Sequence, residues 1–478
     1  MTTRAPPATF TGMRVVLVLP PAIEPVKTPL LAFAYLAAAL RQWGHEALVV
    51  DAAAPEGRGA DPLCEVVGRL GPDLVGIHVK TLEVQAAYRT AQELRQLGVK
   101  LVAGGPHASA CPDEALDHGF DFVLRGEAEV SFPVLADALE GRGDLGQVDG
   151  LSFVDRGQHR HLPEPPPVSD LDALPDPLSA LDAFDRAVYG TAEVAVPAGL
   201  LASRGCPAAC TFCANNVTGR RLRCHSPARV ASEVRRLVHG FHRPAFSFFD
   251  DSFAVGRARV ERLCHAIEEV GGAHWTCTAH PAHLDRKLLA LMQHAGCGGV
   301  DIGIESGDPD MLKAIGKGVT TERVLQVLEW AGELGMHTVV NLMVGWPDET
   351  EAQLDATLAF IEGAAPLAGG FNARGVLVPH PATELYERHH ERFGFTGWWL
   401  REPPIAYEPF PQAWNPAEVR RAYASDAALE RNFFHHPPHR LALMAEVLER
   451  KAYHTFRRIA DWTGGSAPAV TVPAAGSR

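Results

Sequence analysis

Arg204-Gly-Cys206-Pro-Ala-Ala-Cys210-Thr-Phe-Cys213-Ala214 is the stretch from which the rest of the chain can be read. Three thiols stand in one short loop at C-x3-C-x2-C spacing. Three thiolates are one short of the four that close an iron–sulfur cube, so one iron would keep an open coordination position. Zinc is the alternative guest. Its ligands usually come as C-x2-C with a second pair elsewhere, and no such pair follows: Cys64, Cys111, Cys224, Cys264, Cys277 and Cys297 are scattered. The loop therefore reads as the holder of a 4Fe-4S cluster through Cys206, Cys210 and Cys213.

Composition sets the frame around this loop. A chain of 478 residues should form two or three domains. With 57 acidic against 44 basic residues the formal net charge is −13, which argues against a nucleic-acid partner. The longest apolar run, Leu30 to Leu40, is too short for a membrane span and reads as a core helix. The N-terminus lacks the basic-then-apolar layout of a signal peptide. Nine cysteines, three of them grouped, suit a reducing cytoplasm better than a disulfide framework. Residues 466–478, rich in Gly, Ala, Ser and Pro, read as a disordered tail.

Residues 14–150 alternate strand and helix signals. Arg14–Leu19, Ala47–Val50, Leu74–Val79, Lys100–Ala103 and Asp121–Leu124 are short, β-rich runs. A helix is expected over Leu30–Trp43, with Gly44 at its C-terminal cap. Five such strands with crossover helices imply an α/β, doubly wound parallel sheet, whose ligands bind at the carboxyl ends of the strands. No G-x-G-x-x-G follows the first strand, so a plain dinucleotide site is not indicated. The loops at the strand ends are instead Pro20-Pro21, Gly104-Gly-Pro-His-Ala-Ser109 and Arg125-Gly-Glu-Ala-Glu129.

Residues 151–195 carry six scattered prolines, Pro163, Pro165, Pro166, Pro167, Pro175 and Pro177, and read as a stiff linker. A second β/α series follows over residues 196–400. Its strand signals are Gly199–Ala202, Ala245–Phe249, Trp275–Ala279, Gly299–Ile304, Thr338–Val344 and Gly375–Val378. Six repeats suggest a partial (β/α)6 barrel, with its site at the C-terminal ends of the strands. Residues 401–465 read as a helical C-terminal region, with helices over Ala417–Arg431 and Leu441–Arg458. The aromatic run Trp398, Trp399, Tyr407, Phe410 and Trp414 would cap the barrel or, more simply, pack its core. Cys277, His280 and His283 stand on or after the third barrel strand, where a buried thiol and surface imidazoles are the plainer reading.

With Phe212 just before its third cysteine, the Cys206 loop resembles the cluster loop of the radical S-adenosyl-L-methionine (SAM) enzymes. The sheet before it, with its Gly-Gly-Pro-His and Gly-Glu-x-Glu turns, resembles the cobalamin-binding domain found upstream of many of them. The likeness covers about residues 14–400. It implies that the open iron chelates SAM's methionine end and that an electron from the cluster cleaves SAM to a 5′-deoxyadenosyl radical. It implies SAM contacts at Asp250, Asp251 and Ser252 after strand two, at Glu305 and Ser306 after strand four, at Asn341 after strand five and at Pro379 after strand six. Helix capping is the competing role for Asp250 and Asp251, and a salt bridge or turn for Glu305. Cobalamin contacts are implied at Gly104, Gly105, His107, Gly126, Glu127 and Glu129, where small residues let the backbone lie close under a flat macrocycle. No D-x-H-x-x-G occurs, so cobalamin is expected base-off without a histidine ligand, and His78 and His107 read as hydrogen-bonding residues.

The function implied is cobalamin-dependent methylation of an unactivated carbon of a small-molecule natural-product intermediate. The methyl would come through methylcobalamin, onto a carbon first opened by the 5′-deoxyadenosyl radical. A cyclase, ring-contraction or oxidation enzyme is the alternative. Methylthiolation of RNA is disfavoured, since the N-terminal region offers only Cys64 and Cys111 and the tail is not a basic β module. A cobalamin- or iron-sensing binding protein with a relic barrel is disfavoured by the intact cysteines. The expected partners are a small-molecule substrate and an external electron donor such as flavodoxin or ferredoxin.

Overall fold

Arg14–Leu19 (β1) is buried at every position after Arg14. A strand with no polar face must be covered on both sides, as in a parallel sheet sandwiched by helices. The computed structural model, which describes residues 11–22, 28–54, 61–164, 166–189, 196–372, 375–401 and 432–463, shows that arrangement. Glu46–Asp51 (β2), Leu74–His78 (β3), Lys100–Gly104 (β4) and Phe122–Leu124 (β5) join β1 in the order β2-β1-β3-β4-β5, all parallel. The helix Leu31–Gln42 buries eight of its residues and stops at Gly44, whose φ of 90° only glycine adopts readily.

The expected linker begins differently. Leu151–Asp155 (β6) and Gln158–His161 (β7) form an antiparallel hairpin that extends the first sheet to seven strands. β7 is a polar edge strand that shows solvent most of its side chains, so it carries no apolar alternation to read.

The second sheet is a six-stranded parallel array. Gly199–Leu200 (β8) leads into a small antiparallel pair, Ser203–Arg204 (β9) with Arg223–Cys224 (β10). Then come Ala245–Phe248 (β11), His274–Ala279 (β12), Cys297–Glu305 (β13), His337–Leu342 (β14) and Gly370–Phe371 (β15), in the order β15-β14-β13-β12-β11-β8. β12 alternates exposed and buried residues. Trp275, Cys277 and Ala279 enter the core with the helices, while Thr276 and Thr278 stay exposed on the other face. The sixth strand is not Gly375–Val378 as expected. It is Gly370–Phe371, and Val376 makes an isolated bridge to Val344.

The helices between these strands start where the sequence supplies caps. Ser226, Asp285 and Thr320 each accept a backbone N–H of the first turn, and Thr350 forms a capping box with Gln353. A last helix, Pro438–Thr463, begins at Pro438 and packs against the helix Glu351–Ala364 and β15. The expected helix over Ala417–Arg431, the aromatics Tyr407, Phe410 and Trp414, and the tail 466–478 lie outside the described residues. No helix among the described residues is long and apolar enough to cross a membrane.

Candidate active site at the cluster loop and the glycine turns

The cysteine loop is an excursion pinned at its base. β9 and β10 pair Arg204 with Arg223 and Ser203 with Cys224, so residues 205–222 must return on themselves at the carboxyl end of the first barrel strand. Cys206 N–H donates to Gly219 O (3.2 Å), Thr211 N–H to Ile315 O (3.0 Å) and Leu385 N–H to Thr211 O (2.9 Å). Phe212 meets Trp346 edge-on, with ring centroids 5.3 Å apart. Cys210 is buried, Cys206 half-buried and Cys213 exposed.

Burial raises the Cys210 thiol. Burial and then the two neighbouring thiols push Cys213 up to about 11, with Lys317 acting the other way on both. Two thiols that resist ionising side by side fit a strongly cationic guest.

Asp250 and Asp251 hold the base of the loop, and the other strand-end residues have their side chains or carbonyls engaged by neighbours of their own. Asp250 is buried. It accepts Ala202 N–H (2.7 Å), bonds Ser203 Oγ and pairs with Arg259 (3.1 Å), so it ties β11 to the start of the cysteine loop. Asp251 accepts Gly205 N–H (2.8 Å) and Thr218 Oγ (2.9 Å), and Ser252 Oγ accepts His280 N–H (3.4 Å). These bonds leave backbone groups rather than carboxylates to meet a ligand at Asp250–Ser252. Asn341 Oδ1 accepts Asn372 Nδ2 (2.7 Å), and Pro379 O accepts Trp398 Nε1 (2.8 Å).

Glu305 has φ 77°, a strained value for a residue with a side chain. It sits where the β13–β14 register shifts, and its carbonyl accepts Met343 N–H (2.9 Å). Its carboxylate folds back onto Lys317 Nζ at 2.9 Å. A Cβ on Gly303 would lie 2.4 Å from that carboxylate and 2.8 Å from Lys317 Nζ, so a side chain there would push the ion pair aside. Ser306 Oγ accepts Asp308 N–H (3.1 Å).

Sequence reasoning missed Lys317. Its signal is Gly316-Lys317-Gly318, where both glycines have positive φ, and Gly316 brings the segment close under Ala209 O. His280 belongs to the same group: its Nδ1 accepts Ala282 N–H and its Nε2 donates to Lys317 O (2.7 Å).

Glu349 was missed as well. Fully buried, it accepts Gly345 N–H (2.7 Å) and Trp346 N–H (3.2 Å), holding the loop after β14. Burial nonetheless pushes its carboxyl up to about 7 from 4.5. A group with a raised folded value binds more protons folded than unfolded, so its stability contribution is complete below about pH 4.5 and falls away as pH rises to about 7. The loss is on the order of 3 kcal/mol. Thermal unfolding of the metal-free protein at pH 5 and pH 8 should show a smaller fall for Glu349→Gln than for the wild type. Equal falls would refute this role.

Between the first sheet and the cysteine loop lies a cavity of about 440 Å³. Its wall is mostly apolar, with Leu31, Phe33 and Phe132 on the sheet side and Val217 and Phe249 on the barrel side. Gly104, Gly105 and Gly126 form its floor at the ends of β4 and β5. A Cβ on Gly104 would meet nothing within 4 Å, whereas Gly105, at φ 103°, lies against the His78 ring. His78 is on the wall, and burial pushes its imidazole down to about 4, so it is neutral at pH 7. His107 is not on the wall. It is buried in bonds to Thr81 (3.1 Å) and Glu114 (3.0 Å). A side-chain-free floor beneath an apolar cavity fits a broad flat macrocycle such as a corrin.

Glu127 and Glu129 line the cavity, yet their carboxylates are turned onto barrel arginines. Arg204 reaches Glu127 (3.1 Å) and Glu129 (2.7 Å). Arg223 grips both oxygens of Glu127 (2.6 and 2.9 Å). All four residues are buried, and the Tyr35 ring lies under Arg204 at 4.9 Å. Removing one member of such a set costs about 3–5 kcal/mol because it strands a buried charge.

Residues 200–361 match the model of the Radical SAM superfamily, and residues 25–136 match that of the B12 binding domain. The chain is 31% identical to an uncharacterized methyltransferase, PH0819, of Pyrococcus horikoshii over 78% of this chain and 83% of that one. It is 28% identical to the cytidylyl-2-hydroxyethylphosphonate methyltransferase of Streptomyces wedmorensis, over 73% and 76% of the two chains. The fold is also that of the radical SAM methyltransferase TsrM of Kitasatospora setae, solved with cobalamin and a [4Fe-4S] cluster bound: TM-score 0.66, 20% identity, covering 86% of this chain and 85% of that one. Two joined modules, a B12-binding sheet and a radical SAM barrel, thus define the class. The chain belongs to the cobalamin-dependent radical SAM enzymes, and its cofactors are a 4Fe-4S cluster, SAM and cobalamin.

Proposed function

We propose that this radical SAM methyltransferase places a methyl group on an unactivated carbon of a small-molecule natural-product intermediate. The observation that carries this reading is that a single cavity is walled by both the glycine turns and the cysteine loop. Asn216, three residues past Cys213, donates from Nδ2 to Pro106 O at 2.8 Å, so the two cofactor loops touch. When bound, cobalamin supplies a transferable methyl group, and the cluster with SAM supplies a hydrogen-abstracting radical.

The chain's own residues supply position and exclusion. Cys206, Cys210 and Cys213 would hold the cluster. Gly104, Gly105 and Gly126 would admit the corrin, and the backbone at Asp250–Ser252 and Glu305–Ser306 would meet SAM. Lys317 keeps a positive charge beside the cysteine loop, balanced by Glu305. The apolar wall keeps solvent and competing reactants away from the reacting groups. An external one-electron donor, such as flavodoxin or ferredoxin, would reduce the cluster.

Product analysis tests the reading. A methyltransferase should yield S-adenosylhomocysteine, 5′-deoxyadenosine and a product one methyl heavier in about equal amounts, since one SAM gives its methyl and another is cleaved. A product of unchanged methyl count, formed with 5′-deoxyadenosine alone, would favour cyclisation, ring contraction or oxidation.

A further inference from the structure

A continuous run of hydrogen bonds joins the corrin floor to the cysteine loop. Gly105 O accepts Ser109 Oγ (2.9 Å), and Ser109 Oγ accepts Gly126 N–H (3.0 Å). The Gly126 turn then presents Glu127 and Glu129 to Arg204, two residues before Cys206. Glu127 also accepts Val168 N–H (2.9 Å), and Arg223 donates to Val168 O (2.8 Å), so the connecting segment is held at the same point.

We infer that Arg204 and Arg223, gripping Glu127 and Glu129, form a positioning junction that fixes the distance between the glycine floor and the cysteine loop. The inference rests on the reading that these two places hold the corrin and the cluster. Stability alone does not account for the junction, because buried ion pairs seldom outdo apolar packing. Orientation does. A guanidinium is a rigid planar fork that fixes angle as well as distance. Arg204 spans two carboxylates with two different nitrogens, and Arg223 takes both oxygens of one. An ammonium keeps the charge and loses the fork.

The fork is therefore what the test changes. Arg204→Lys and Arg223→Lys, made in the full chain and loaded with iron, sulfide and cobalamin, are compared with wild type in two reactions that need no organic substrate. Reductive cleavage of SAM, counted as 5′-deoxyadenosine, reports the cysteine loop alone. Methyl transfer from SAM to cob(I)alamin, counted as S-adenosylhomocysteine, requires both loops in register. Both variants should keep wild-type iron and corrinoid content and 5′-deoxyadenosine formation. Their S-adenosylhomocysteine formation should be slower by about ten- to a hundred-fold, the scale of a misplacement of about 1 Å. Amide hydrogen exchange should rise at Ser203–Gly205 and Gly126. Undiminished S-adenosylhomocysteine formation would overturn the junction's role. So would a joint loss of iron, corrinoid and both reactions, which would make it a folding element only. A wild-type protein that takes up no corrinoid would overturn the underlying reading, and the junction's purpose with it.

Discussion

Replacing Cys206, Cys210 and Cys213 together by alanine removes all cluster iron and stops 5′-deoxyadenosine formation. The expectation rests on geometry as well as spacing. The loop is pinned by β9–β10, by Ile315 and by Leu385, so the three sulfurs are presented by backbone that does not depend on them. The variant should fold, because alanine leaves those bonds intact. Among the remaining cysteines, Cys264, Cys277 and Cys297 are buried in the core and carry thiols that burial raises at Cys264, to about 12, and at Cys277. They make poor substitutes for three ligands presented together on one loop. Iron analysis and the cluster's visible absorption after anaerobic reconstitution check the result. Iron retained at wild-type level, with SAM still cleaved, would sink the assignment of the cluster to this loop.

Gly104→Leu should abolish corrinoid uptake while leaving the fold undisturbed. At Gly104 a Cβ points into open space and φ is not positive, so the new side chain costs the folded protein little and projects into the cavity. Corrinoid affinity should fall by about two orders of magnitude or more, since a macrocycle on that floor has no room to shift around a branched side chain. Gly105→Leu is the contrasting case. With φ 103° and a Cβ 2.7 Å from His78, it should lower the melting temperature as well. Titration of the apo protein with hydroxocobalamin, paired with thermal unfolding, separates the two. Wild-type affinity in a folded Gly104→Leu protein would move the corrin elsewhere.

What the sequence made legible and what it hid follow from the range of the interactions. The cysteine triplet is local, eight residues from end to end, so its spacing points to a cluster and carries the family resemblance. β1 to β5 announce themselves because a strand buried on both faces must be apolar throughout. The hairpin β6–β7 was hidden because β7 is a polar edge, and β15 because two residues cannot show a period. Glu127 and Glu129 were read as cobalamin contacts from their turn. Their arginine partners lie 75 to 96 residues away, a pairing that nothing local encodes. Lys317 was missed for a similar reason: its place beside the cysteines comes from the path of a loop between two glycines.

Trp399 returns to the first sheet from nearly 300 residues away. Its indole N–H donates to both oxygens of Glu114 (3.1 and 2.9 Å), and its ring meets His107 edge-on. Gln85 donates to the carbonyls of Trp399 (3.0 Å) and Arg401 (2.9 Å). During synthesis the sheet emerges first, yet its flank at Gln85 and Glu114 stays uncovered until residues 398–401 leave the ribosome. A premature stop anywhere in the barrel would therefore leave those polar groups without the partners that bury them. Such a fragment should be protease-sensitive at the very turn that follows Gly105, even though every strand of its own sheet has been made.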